Sequence, residues 1–466
     1  MVYSLQRYME PDVNSKLIRL FKDRSKKERE RSMGIEIANA NGNCLDECVI
    51  VEILSWLPVK WLLQYKSVCK AWHALISNLD FVSKHLRNYY RNRNDSDMCD
   101  FFLKQSYVDY DLYHLQSLVL AVDEMPTPRV VAFEDMVSMP MYVSEICGPC
   151  DGLYYLFYYY DTIRALWNPA INELRVLPPL LTKSDPLLDP RDTAGEVYGL
   201  GFDSVTSDYK VVVIKGYFNT VTDYRAPQSV IVYSLRNDCW RYCGDLRRYY
   251  KLETNKCYNL INGWYYWMES DYIYDYNKMS DAIIGFNMAT DEFEEINLPD
   301  YKKPALKSLG IYDNSLALLS FHLDDKLFEV WTFKVGIWAM KLRIGPFLDV
   351  WFPIGHWKDN KLFLESYVWL HLGFFDPESQ DIKNLSYEGL KRCRGVFACG
   401  ESLVSVKRDN SASETSDSDS DLGINGLFSI ETSESDSEYG IHDLFCPETS
   451  ESESKYGIED LFCHEG

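Results

Sequence analysis

From Leu45 onward, Val49, Ile50, Ile53, Leu54 and Leu57 recur at helical spacing, with Asp46 placed to load the N-terminus of that helix. Pro58 has no N–H with which to continue the helix, but it suits the first turn of the next one. A second apolar set comprises Leu62, Leu63, Tyr65, Val68 and Cys69. A third starts at Trp72, Leu75 and Ile76 and runs on through Phe81, Val82 and Leu86, so the pattern predicts three or four short helices. So small a unit buries only part of its apolar surface by itself, and the remainder is expected to belong to a partner.

From Tyr107 to Val406 the period changes. Short runs of β-branched and aromatic residues are separated by turn chemistry, and no long helical pattern intervenes. The run 230–235 passes through Arg236, Asn237 and Asp238 into 239–242. In the same way 283–287 passes through Ala289, Thr290 and Asp291 into 293–298, and 362–365 follows the turn at Lys358, Asp359 and Asn360. Many evenly spaced hairpins imply a closed or radially repeated β architecture, most simply a propeller-like domain.

The ends are different again. Residues 16–31 are basic and charge-dense within an arm, 1–42, that lacks sustained periodicity, and they predict a solvated or disordered segment. The motifs GINGLF (423–428), GIHDLF (440–445) and GIEDLF (457–462) recur every 17 residues, separated by Ser/Thr/Glu/Asp tracts. One apolar triplet per repeat buries no core, so the tail is expected to be disordered and acidic, and its triplets and serines are candidate short linear motifs.

Charge and chemistry narrow the function. The net charge is −22, of which −15 lies between Asp409 and Gly466, and this argues against binding duplex nucleic acid. No apolar run approaches bilayer length, and the thirteen cysteines are scattered singly, which favours a reducing compartment, the cytoplasm or also the nucleus. Cys147-Gly-Pro-Cys150 has redox spacing, but such a pair should open a helix, whereas Asp151-Gly152 and a strand-like run follow. No paired Cys/His spacing for zinc, phosphate-binding glycine loop or nucleophile elbow is present, so no catalytic residue, metal or cofactor is expected.

Residues 44–60 (CLDECVIVEILSWLPVK) and 65–76 (YKSVCKAWHALI) resemble an F-box, although the usual opening Leu-Pro is here Leu45-Asp46. The middle of the chain resembles the F-box-associated domain of large plant families, including the S-locus F-box group. The resemblance runs through CDGL (150–153), LWNP (166–169), GFDSVTSDYKVVV (201–213), VYSL (232–235), GWYYW (263–267), FNMAT (286–290), EVW (329–331), PIG (353–355) and LVSVK (403–407). Relatives usually carry a longer loop where this chain has only the short run between Trp331 and Trp338.

The expected fold class is thus α+β multidomain. A small helical F-box at 43–88 precedes an all-β, propeller-like F-box-associated domain at 105–407, and a disordered acidic C-terminal tail follows at 408–466. The resemblance implies a non-catalytic substrate receptor of a cullin-RING ubiquitin ligase. Its adaptor, of the Skp type, would be held by Leu45, Val49, Ile53, Leu54, Leu57, Pro58, Leu62, Val68, Cys69 and Trp72. Its target would be a protein, contacted by β-domain loops near 182–195 and 221–228, with neither nucleic acid nor membrane as partner. The alternatives are a ligase-independent binding scaffold and a pollen receptor for stylar ribonucleases.

Overall fold

The computed structural model describes residues 47–91, 101–109, 112–119, 129–132, 145–158, 163–180, 193–219, 224–225, 227–255, 257–269, 282–299, 305–356, 362–366, 372–376, 381–384, 393–398 and 400–407. The arm at 1–42, Leu45, Asp46 and the repeat tail therefore lie outside the described residues, as do most of the loops at 182–195 and 221–228.

Four helices open the described chain: α1 (Glu47–Leu54), α2 (Val59–Lys66), α3 (Lys70–Ser77) and α4 (Leu79–Arg91). α1 stops at Leu54 and passes through a turn at 55–57 to Pro58, which stands in extended conformation at the cap of α2. Asn78 leaves the helical region after α3, and its Oδ1 accepts the Asp80 N–H at 2.7 Å, capping α4. Ile50, Leu54, Leu57, Leu62, Trp72 and Ile76 pack into one core, where Tyr65 meets Trp72 edge to face. That core also takes in Leu403, with Ala170 and Ile171 packed against it. Part of the apolar surface expected to await a partner is thus already covered by the chain's own β-domain.

Among the described residues the strands fall into six sheets, five of four strands and one of five, all described pairings being antiparallel. In chain order the sheets span 101–132, 145–176, 193–245, 260–297, 305–344 and 351–384, and they are called blades 1 to 6. Blade 1 is completed by the last strand, Cys393–Ala398, which pairs with Phe101–Asp109 and lies between blades 6 and 2, closing the ring. The β-domain is therefore an all-β propeller, as its hairpin spacing predicted.

Local turn chemistry explains the hairpins. Asp151-Gly152, Asn262-Gly263, Asp313-Asn314 and Val335-Gly336 each supply two consecutive residues at positive φ between directly paired strands. This is the turn whose twist matches that of the strands it joins. Between Trp331 and Trp338 the two strands continue to Lys334 and from Ile337, and only Val335-Gly336 forms the turn.

The core lies between neighbouring blades. In blade 5 the second strand, Ser315–His322, is buried at every position, whereas the outer strand Ile337–Ile344 is largely exposed. A strand of a blade therefore reads as continuous hydrophobic sequence or as a mixed pattern according to its depth in the sheet.

Strand order also assigns the ends of the ring. Phe102 pairs with Ala398, so the chain enters blade 1 from α4 and leaves it at one end. The turns at Asp151-Gly152 and at 169–172 in blade 2 join its first to second and third to fourth strands, which places them at that same end.

Candidate protein-interaction surface

On α1, Ile50 and Leu54 point inward while Val49 and Ile53, each one residue earlier on an adjacent stripe, are 43% and 39% exposed. On α2, Val59, Leu62 and Tyr65 are buried, and Trp61 is off that stripe and 42% exposed. Large apolar side chains in water are informative when everything around them is packed. Glu52, beside them, accepts the Trp56 Nε1–H at 2.9 Å and pairs with Lys84 at 2.6 Å.

The ten positions expected to hold an adaptor do not form one surface. Val49 and Ile53 are open; Pro58, Val68 and Cys69 are half-buried; Leu54, Leu57, Leu62 and Trp72 belong to the helical core, with exposures of 2%, 8%, 0% and 3%. Leu45 lies outside the described residues. Leu54, Leu57, Leu62 and Trp72 pack within the helical core of the chain itself. Trp61 lies outside the apolar set that begins at Leu62. A helix burying positions 59, 62 and 65 turns position 61 outward.

The remaining polar clusters are structural. In the run 201–213, Asp203 accepts the backbone N–H groups of Val205 and Thr206 and the Thr206 hydroxyl, and pairs with Lys210 at 2.8 Å. Burial opposes its ionisation, but the bonds from Lys210, Thr206 and Val205 outweigh this and hold its pKa down at about 2. Arg164 and Lys215 both pair with Glu196, joining blades 2 and 3. Cys147 and Cys150 lie on the strand Glu145–Cys150, which turns through Asp151-Gly152 into the strand Leu153–Tyr158 and opens no helix. Burial pushes Cys147 up to about 12 and raises Cys150 as well, which holds both as protonated thiols within the hydrophobic core. Among the described residues no group of three or more His, Cys, Asp or Glu side chains could hold a metal ion, and no helix is long and apolar enough to cross a membrane.

The helical unit is held against blade 2 by named contacts. The Tyr90 hydroxyl donates to Asp151 Oδ1 at 2.7 Å, and Asp151 Oδ2 accepts the Tyr209 hydroxyl at 3.0 Å. Residues 400–407, after the last strand, run between the helices and the blade with Ser402, Leu403, Val404 and Val406 buried. Glu401 Oε2 accepts the Val59 N–H at the start of α2.

Residues 108–365 match the F-box associated beta propeller domain family, and residues 43–84 match the F-box domain. Similar proteins include an F-box/kelch-repeat protein of Arabidopsis thaliana, 28% identical over 251 residues, which are 53% of this chain and 64% of that protein. The chain thus spans just under two thirds of that relative's length. Another is the F-box protein CPR1 of Arabidopsis thaliana, 27% identical over 380 residues, 75% of this chain and 85% of that protein. Among solved structures, TolB from Acinetobacter baumannii is similar at 8% identity and a TM-score of 0.37, covering 69% of this chain and 73% of that one.

Proposed function

The chain belongs to the F-box proteins that carry an F-box-associated β-propeller domain, and on that premise we propose that it is a substrate receptor of a cullin-RING ubiquitin ligase. Its helices bind a Skp-type adaptor, its propeller binds the protein to be ubiquitinated, and the chain performs no chemistry of its own. The observation that carries this reading is the exposure of Val49, Ile53 and Trp61 on a helical unit whose other large apolar side chains are mostly inside. A buried aromatic anchor flanked by aliphatic side chains is how protein interfaces concentrate their energy.

The arrangement of the ring supports a division of labour. The helices occupy the end of the propeller bearing the turns at 151–152 and 169–172. The target is then taken at the other end, where the connections between second and third strands and between blades emerge. Recognition on loops displayed by a rigid sheet is the usual layout.

Capture of the adaptor and cullin by the full-length chain tests the ligase role. Val49→Asp, Ile53→Asp and Trp61→Ala together should abolish capture while the melting temperature stays that of the parent. Undiminished capture by this folded triple variant refutes the assignment, and a parent chain that captures neither protein is a ligase-independent scaffold.

A further inference from the structure

Three motifs far apart in the chain meet at one place, and neither adaptor binding nor target binding accounts for them. The run 150–153 contributes Asp151 and Gly152, the run 166–169 contributes Asn168, and 403–407 supplies an extended segment that belongs to no sheet. A buried extended segment must satisfy its backbone groups somewhere. Here side chains of blade 2 do so. Asn168 Nδ2 donates to the carbonyls of Ser402 at 3.1 Å and Val404 at 2.7 Å. Arg175 donates to the Val406 carbonyl at 3.1 Å, and Glu173 Oε2 accepts the Val406 N–H at 3.1 Å. The Val404 N–H goes to Ser402 Oγ at 2.9 Å.

Alternation along this segment divides its side chains between two cores. Leu403 enters the helical core, and Val404 and Val406 enter the propeller core. Gly152 lets it pass: a Cβ there would lie 2.5 Å from Ser402 Cβ and 2.9 Å from the Gly400 carbonyl oxygen. Glu401 then reaches from the segment to the N-terminus of α2, where Pro58 offers no side-chain cap.

We propose that residues 400–407 are a positioning strap that fixes the helical unit on blade 2, so that the adaptor-binding helices and the propeller turn as one body. Glu401, Leu403 and Asn168 are its positioning residues. The geometric proposal stands on the contacts alone; its consequence, that the far end of the chain sets the direction in which a captured target is presented, rests on the receptor reading.

The test uses the full-length chain with spin labels at Cys48 and Cys239, both exposed, one on α1 and one on the outer strand of blade 3, and serine at the other reactive cysteines. The parent should give one narrow distance distribution. Glu401→Gln combined with Leu403→Ala should broaden it at least about twofold, with adaptor capture kept. A distribution as narrow as the parent's in the folded double variant overturns the proposal. Should that variant not fold, hydrogen exchange on the parent decides. Val404 and Val406 amides should exchange at least about a hundredfold more slowly than unstructured peptide, and exchange at the free-peptide rate overturns the strap. Failure of the parent to capture an adaptor would instead sink the receptor reading, and the distance and exchange results would still decide the joint.

Discussion

Glu401 accepts the backbone N–H of Val59 at 3.1 Å and so caps α2 from 342 residues away. The first N–H groups of a helix have no partner within it, and removing a side-chain cap typically costs about 0.5–2 kcal/mol. Glu401→Ala should therefore destabilise the helical unit by about 1 kcal/mol. Chemical denaturation of the parent and the variant followed by far-ultraviolet circular dichroism at the helix band would report it; an unchanged midpoint contradicts the cap.

The buried and exposed halves of the helical unit should respond oppositely to mutation. Leu62→Ala removes a fully buried side chain and should cost about 2–5 kcal/mol, melting the unit. Trp61→Ala, on the open face, should leave stability within about 0.5 kcal/mol while weakening adaptor binding on the order of thirtyfold, the effect of losing an interfacial hot spot. Thermal melts paired with titration of the adaptor separate the two.

Gly152 and Gly263 form a matched pair. Their φ angles are +79° and +80°, but a Cβ at Gly263 meets nothing within 4 Å whereas one at Gly152 runs into Ser402 and Gly400. Gly263→Ala should cost about 1–2 kcal/mol for the left-handed backbone alone. Gly152→Ala should cost more, and the excess measures displacement of the strap. Equal losses in denaturant melts would mean that the strap yields freely.

Val335 is a β-branched residue at φ +50° and 99% exposed, at the tip of a two-residue turn. Nothing packs on it to offset the crowding of its side chain against the backbone. Val335→Asn should stabilise blade 5 by about 0.5–1 kcal/mol, because Asn tolerates this conformation better. A lowered melting temperature would contradict this.

Acid should loosen the helical unit before the propeller. His85 is buried, its Nε2 donating to the Leu57 carbonyl at 2.9 Å. Burial lowers its pKa, more than the Leu57 bond and the nearby Glu401 raise it. Below pH 6.5 the unfolded chain takes up a proton that the folded chain refuses, so stability falls as pH drops from about 6.5 towards the lower native value. Asp203 behaves in the opposite sense for its own charge: its contribution to the propeller is full above about pH 4 and is lost only as pH approaches 2. Melting at pH 7 and pH 5 should show the helical transition shifted downward, and His85→Phe should flatten that shift.

The amino-acid pattern by itself determined the elements and their kind. Helical spacing between residues 49 and 86, Pro58 as a break, and Asp-Gly or Asn-Gly pairs between strand-like runs each act over a few residues, so near neighbours suffice to decide them. The helical spacing located the helical unit, the polar turns at 236–238 and 289–291 located the hairpins at 230–242 and 283–298 within the β-domain, and the motifs carried along those elements indicated the family. Tertiary structure alone decided the rest. Six sheets close into a ring because Cys393–Ala398 returns to Phe101–Asp109, a pairing that no local pattern encodes. Leu57, Leu62 and Trp72 differ from Val49, Ile53 and Trp61 not in hydrophobicity but in which neighbour lies over them, and one of those neighbours, Leu403, arrives from the far end of the chain. Asn168 reads in sequence as a turn residue, since its Oδ1 does accept the Ala170 N–H. Its other role depends on two carbonyls more than 230 residues away, and a hydrogen bond is defined only when both partners are in place.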